Sequence, residues 1–237
     1  GRVMSHLTVT EREDYTEIHM DDGKANALGF ALIEALHSAL DTAAQRGGVI
    51  ALVGREGKFS AGFDLSVMQR FDAESTRLLR EGADLIIRLL GFDGPVILGV
   101  SGHALALGGL LCLSADHRIG VQGAFKLGLN EVAIGMTMPW FGVELCRARL
   151  TPSHRDQALG LARLYSPDEA IGAGFLDEVV APTALSERIA DVASHLAKLH
   201  MPSHGATKTR SREILMQRLS LAIDRDFAEG ASLNARA

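Results

Sequence analysis

A chain of 237 residues, 47% hydrophobic and with a formal net charge of −5, is long enough for one α/β domain with a sizeable core. Its 24 Lys and Arg residues are scattered among 29 acids, and the densest basic patch, KTRSR at 208–212, is small, which argues against a nucleic-acid surface. No apolar run reaches the ~18 residues of a membrane span and the polar N-terminus has no secretory leader, so a cytoplasmic protein is expected.

Residues 7–10 and 16–20 alternate apolar and polar and read as two short strands around a charged turn. Leu28, Ala31, Leu32, Ala35 and Leu36 recur at helical spacing over 27–44, and Gly47-Gly48 stops that helix. Apolar, β-branched 49–53 reads as a strand, 55–61 as a loop and 65–90 as mostly helix. Pro95 leads into a buried strand at 96–100. Residues 105–115 are apolar nearly all round and predict a buried helix; 118–121 reads as a further strand. The chain then turns mainly helical, over 140–149, 152–161, 167–172 and 185–199, with a strand at 176–180 between them. MPSHG at 201–205 reads as a break before a last helical segment, 206–235. That tail has an apolar stripe (Ile214, Leu215, Leu219, Ile223, Phe227) expected to pack on its own core or on a neighbouring subunit.

Two stretches carry chemistry. FSAGFDL at 59–65 and SGHALALGGLLCLSADHRI at 101–119 each read as a strand ending in a small-residue turn that opens a helix. The first N–H groups of a helix have no intrahelical partner, and the dipole there favours negative charge. Two such turns brought together make a pocket of donors for an oxyanion, such as negative charge developing on a carbonyl oxygen.

Other chemistries lack their motifs. No G-x-G-x-x-G or G-x-x-x-x-G-K-[ST] is present to anchor a nucleotide. The nine histidines form no H-E-x-x-H and no pair at metal-ligand spacing, so no metal is expected. Cys112 and Cys146 lie in apolar runs without C-x-x-C spacing and read as reduced core thiols. GVSGH at 99–103 approaches a nucleophile elbow, but His103 stands where close helix–strand packing needs Gly, so Ser101 reads as a strand-end residue.

KFSAGFDL, SGHALALGGLLCLSADHRI and KLGLNEVAIGMTMPWFGVEL, in that order and spacing, resemble the crotonase superfamily, the enoyl-CoA hydratase and isomerase family, over nearly the whole chain. The resemblance implies an α/β fold of the ClpP/crotonase type: a spiral of ββα units over 4–200, then a helical segment, 201–237, that serves trimerisation. It implies acyl-CoA thioester substrates, no cofactor beyond the coenzyme A of the substrate, no nucleic-acid or membrane partner, and a homotrimer or dimer of trimers. By the same resemblance the backbone N–H groups of Phe63 and Leu107 hold the thioester oxygen. Lys24, Ala25 and Asn26, in the loop DGKANAL, and Ala61 lie against CoA. Lys208 and Arg210 reach a CoA phosphate of their own or an adjacent subunit, or else are exposed helix charges.

The chain departs from the family pattern twice. Ala106-Leu107-Gly108 stands where the second signature has three glycines, which keeps an N–H at Leu107 but reshapes the acyl pocket. Leu110 stands where hydratases carry a Glu, whereas the other family Glu, Glu131, is present. Hydration uses a base to activate water and an acid to protonate the α-carbon, and two carboxyls do this well. Moving a double bond from β,γ to α,β needs one, which takes the α-proton and returns it at the γ-carbon. Asp64 and Asp116 match structural acids of the family, and Glu144 lies too far along the chain. The reading is therefore an enoyl-CoA isomerase with Glu131 as sole acid/base, closest in motif to single-glutamate isomerases. The alternatives are an enoyl-CoA hydratase or another enolate-forming enzyme and, from a different class, a non-catalytic acyl-CoA-binding oligomer.

Overall fold

In the computed structural model, which describes residues 1–228, the chain opens with an antiparallel meander: β1 (Arg2–Met4), β2 (Leu7–Glu11) and β3 (Tyr15–Met20). Then α1 (Phe30–Arg46) leads to β4 (Val49–Val53), β5 (Gly57–Ser60), α2 (Leu65–Met68) and α3 (Ala73–Leu90). The next unit is β6 (Val96–Val100), β7 (Gly102–Leu105) and α4 (Leu107–Cys112). After it come β8 (His117–Val121), β9 (Leu127–Gly128), α5 (Trp140–Arg149) and α6 (Arg155–Ala158). The chain continues through β10 (Leu164–Tyr165), α7 (Pro167–Ala173), β11 (Glu178–Val180), α8 (Leu185–Leu196), α9 (Met201–Ser211) and α10 (Glu213–Ala228).

The strands form two sheets. The larger has the order β1-β2-β3-β4-β6-β8-β11 and is parallel from β3 onward. The smaller has the order β10-β9-β7-β5, with β5, β7 and β9 parallel. Each successive pair, β4/β5, β6/β7 and β8/β9, gives one strand to each sheet before a helix follows. This is the ββα spiral of the crotonase fold.

Burial explains why the larger sheet reads so plainly. VIALV in β4 and VILGV in β6 are covered on both faces, so they run apolar without alternation. Leu52, Leu98 and Ile50 join the main core with α1 and α3, while Ala51, Ile97 and Ile119 face Ile189, Val192 and Ala193 of α8. β5 replaces part of the loop expected at 55–61, and β7 replaces the start of the helix expected at 105. Neither is rich in β-branched residues; they form because they pair with each other. The helix expected over 65–90 is two helices: Phe71 turns to φ 50°, and Asp72 starts α3 with a capping box to Ser75.

The tail also differs from expectation. MPSHG opens α9 instead of breaking the chain, because Pro202 falls in the first turn, where its missing N–H is not needed. His200 caps it, its Nδ1 accepting the Ser203 N–H. A second helix follows, and 229–235 of the expected segment lie outside the described residues. The stripe of α10 packs within the same chain, with Leu219, Ala222 and Ile223 in the main core. Asp226 accepts the Trp140 and Phe141 N–H groups at 2.7 and 3.1 Å, closing the N-terminus of α5. Among the described residues no helix is long and apolar enough to cross a membrane.

Lys208 ties α9 to the sheet. Its ammonium donates to Phe92 O (3.0 Å), Gly94 O (2.7 Å) and Asp116 Oδ2 (2.6 Å). Arg212 donates to Leu90 O (2.7 Å) and Asp116 Oδ1 (3.0 Å). Removing one partner of a buried pair leaves charge and carbonyls without a match. Lys208→Ala is therefore expected to lower unfolding stability by about 3 kcal/mol, read as a lower urea midpoint. An unchanged midpoint would show that the strut carries no stability.

Candidate active site

Two turns meet beside a small buried cavity. The first follows β5 at Ala61-Gly62-Phe63. It is held against the loop after β3 by Ala61 N–H to Ala25 O (2.9 Å), Leu28 N–H to Gly62 O (2.7 Å) and Asp64 N–H to Leu28 O (3.0 Å). These bonds use the groups on either side of Phe63, and its own N–H has no acceptor among the described residues. The second turn follows β7. Ala106 precedes α4 with φ 54° and ψ −121°, a strained conformation for a residue with a side chain. Leu107 opens α4, and its N–H also lacks an acceptor among the described residues.

Gly62 is where the turns touch. Its φ is +93°, and a Cβ there would lie 2.8 Å from the Ala106 Cβ and 3.1 Å from the Leu107 nitrogen. Only glycine fits that backbone and that gap.

Glu131 supplies the third component. It starts a single 3-10 turn, Val132–Ile134, soon after β9, and its side chain points inward. The residue is 8% exposed, and Oε2 is buried with no partner among the described residues. Burial pushes its pKa up to about 7. The cavity, about 20 Å³ and so roomy enough for about one water, is lined by Phe63, Met68, Leu79, Leu107, Leu110, Glu131 and the stretch Met136, Thr137, Met138, Pro139, with Phe141. Among the described residues, Glu131 is the only ionisable group in that lining.

Of the residues singled out in the sequence, Phe63, Leu107, Leu110 and Glu131 line one cavity. Lys24, Ala25 and Asn26 lie in the adjoining loop, which is fastened to Ala61 of the first turn. Lys24 and Ala61 are exposed, whereas Asn26 is buried, its Nδ2 donating to Met20 O (3.0 Å) and Phe59 O (3.1 Å). The structure places Lys208 away from this cavity, with its three donors occupied, while Arg210 is exposed on α9. Ser101 donates its hydroxyl to Arg55 O (2.7 Å). Asp64 caps α2 through Ser66, Asp116 anchors Lys208 and Arg212, and Glu144 pairs with Arg147. Cys112 and Cys146 are free, buried thiols, and burial raises both pKa values. Sequence reasoning missed the part played by Met136, Thr137 and Met138. Their signal was the MTMP run between the glutamate turn and α5.

Comparison with known proteins decides the family. A family model described as enoyl-CoA hydratase/isomerase matches residues 11–228. The chain belongs to this family. The family's name refers to enoyl-CoA, an acyl-CoA thioester. A crotonyl-CoA hydratase of Syntrophomonas wolfei is 31% identical over 139 residues, covering 58% of this chain and 53% of the relative. Enoyl-CoA delta isomerase 1 of Rattus norvegicus is 30% identical over 167 residues, covering 69% and 57%. The match thus spans about half the length of these two relatives. Among solved structures, an enoyl-CoA hydratase/isomerase family protein from Pseudomonas syringae is similar with a TM-score of 0.93 and 37% identity, covering 95% of this chain and 98% of that one. An enoyl-CoA hydratase from Mycobacterium ulcerans has a TM-score of 0.90 and 38% identity, with 94% and 99% covered. Both reaction names occur among the relatives, so the cavity's own chemistry has to discriminate between them.

Proposed function

We propose that the protein moves the double bond of a 3-enoyl-CoA to the 2 position, with Glu131 as its single acid/base. The observation that supports this is the lining of the cavity, in which one carboxyl stands among side chains that are apolar but for Thr137. The thioester oxygen accepts the N–H groups of Phe63 and Leu107. The ionised carboxylate of Glu131 takes a proton from C2. The electron pair spreads over C2, C3 and C4 and onto the thioester oxygen, where the two donors stabilise it. The same carboxyl then gives the proton back at C4, leaving the double bond between C2 and C3. No electrons leave the substrate and no group is transferred, so the reaction asks for no cofactor.

A carboxylate with a raised pKa is a stronger base, and a pKa near the working pH suits it to both proton transfers. Leu110, 2% exposed, occupies the place of a second carboxyl with a side chain that does not hold water. The acyl chain is larger than the closed cavity, so Met136 and Met138, unbranched and adaptable, must shift to admit it.

Incubation with a panel of 2-enoyl-CoA and 3-enoyl-CoA thioesters, with product identification, tests this. The 3-enoyl substrates should be consumed. Their kcat/KM should rise with pH through an apparent pKa of about 7 and level off above it, as Glu131 ionises. Efficient hydration of 2-enoyl-CoA without any shift of a 3-enoyl double bond would assign the protein to the hydratases. Binding without turnover of either would make it an acyl-CoA binder.

A homotrimer or dimer of trimers goes with this reading. Val132 and Ile134, on the turn behind Glu131, and Leu161 are exposed apolar side chains that a neighbouring copy would cover. Light scattering at micromolar concentration should report three or six copies, and a monomer would refute the assembly.

A further inference from the structure

A second cavity, of about 580 Å³, lies at the far end of α4 from the oxyanion turns. Leu107 opens that helix at the active site, whereas Leu113, Ala115 and Asp116 follow its other end. The walls of this cavity come from the end of α5 and from α9, and they include Arg149, His204, Thr207, Lys208, Ser211 and Arg212.

The charges on these walls do not balance. Three cations, Arg149, Lys208 and Arg212, face one carboxylate, Asp116, whose two oxygens are already taken by Lys208 and Arg212. That leaves an excess of two positive charges. Arg149 has no carboxylate partner among the described residues. Its Nε donates to Leu113 O (3.1 Å) and its Nη2 to Ala115 O (2.7 Å), both neutral carbonyls, and Nη1 has no acceptor among the described residues. Burial, with Arg118 and Arg212 nearby, lowers its pKa to about 10. Asp116 and Asp177 act on Arg149 only from a distance; a partly buried cation with no carboxylate in contact is costly, and an anion beside it lowers the cost.

The polar groups around Arg149 have the arrangement such an anion needs. His204 Nε2 is buried without a partner among the described residues. Thr207 and Ser211 follow it along α9 at spacings of three and four residues, which puts the three side chains on one face of the helix. Donors from α5 and α9 thus converge on one space from two sides.

We infer that this cavity binds a tetrahedral oxyanion of the phosphate type, either free phosphate or the phosphate group of an ester. A phosphate near its dianion form matches the excess of two positive charges and offers oxygens in several directions. Arg149 meets it with its unused Nη1, and His204, Thr207 and Ser211 bind its remaining oxygens.

Titration calorimetry with inorganic phosphate, against chloride at equal ionic strength, tests the site. Wild type should show saturable binding of one phosphate per chain. Thr207→Glu puts a carboxylate into the cavity from an exposed helical position, and should weaken that binding at least tenfold. Arg149→Gln should weaken it as well, and Thr207→Glu decides the matter if that variant does not fold. Adenosine 5′-monophosphate in place of phosphate identifies the source: tighter binding means an ester, weaker binding means free phosphate, and either upholds the site. No saturable binding to wild type, or binding undiminished in Thr207→Glu, overturns it.

Discussion

Glu131→Gln is expected to lower isomerisation by about a thousandfold and, at the same time, to make the protein more stable above pH 7. Glutamine keeps the size of the side chain but cannot take a proton from carbon. With no other ionisable group lining the cavity among the described residues, none of them substitutes for it. The stability gain follows from the same burial. The folded-state pKa of Glu131, about 7, lies above its ordinary value of 4.5, so the folded state binds this proton more tightly than the unfolded chain does. Below the ordinary value the carboxyl is neutral in both states and wild type loses nothing. As pH rises from the ordinary value towards 7 the unfolded chain releases this proton while the folded protein keeps it, so stability falls by something on the order of 3 kcal/mol and then levels off. The Gln variant has no such loss. Urea unfolding at pH 5 and pH 8 should therefore show a difference between the two proteins that grows with pH. If the variant retains activity within tenfold, about 1.4 kcal/mol of barrier, Glu131 is not the base.

Gly62→Ala should cost a factor of about 10² to 10³ in kcat, with a much smaller change in KM. The methyl group has nowhere to go. It would lie 2.8 Å from the Ala106 Cβ, 2.9 Å from Leu105 O and 3.1 Å from the Leu107 nitrogen, on a backbone with φ +93°. The two turns must separate to admit it, and the N–H groups of Phe63 and Leu107 then no longer converge on one oxygen. Losing one donor of an oxyanion hole typically costs about 3 to 4 kcal/mol in the barrier. Gly172→Ala is the matched control, since a Cβ there has no neighbour within 4 Å and Gly172 lies inside α7. Its activity should be that of wild type. A kcat for Gly62→Ala within threefold of the control would mean that this contact does not shape the hole.

Much of the larger sheet was legible because β4 and β6 are buried on both faces, so apolar, β-branched runs mark them directly. The smaller sheet was not. β5, β7, β9 and β10 have two to four residues each, and they exist only because partners distant in sequence lie beside them. Around the cavity, Phe63, Leu107, Leu110 and Glu131 could be named because strand, turn and helix starts combine with a resemblance carried by three motifs. The surroundings of Lys208 could not be read that way. A lysine in a charged helical segment looks the same whether it faces solvent or a carboxylate 92 residues away, and only the fold brings Asp116 to it. The apolar stripe of the tail posed a similar ambiguity, and its contact with α5 depends on Asp226 meeting the backbone of Trp140 and Phe141.

That last contact bears on when the protein becomes functional during its synthesis. Pro139 and Phe141 form part of the cavity wall, and the carboxylate that fixes this end of α5 lies 86 and 85 positions further along the chain. A ribosome delivers the chain from its N-terminus at about 5 to 20 residues per second. Both oxyanion turns and Glu131 are therefore translated several seconds before Asp226. Through that interval the wall beside Glu131 and the two turns is unfinished, and the pocket is complete only once Asp226 has been made.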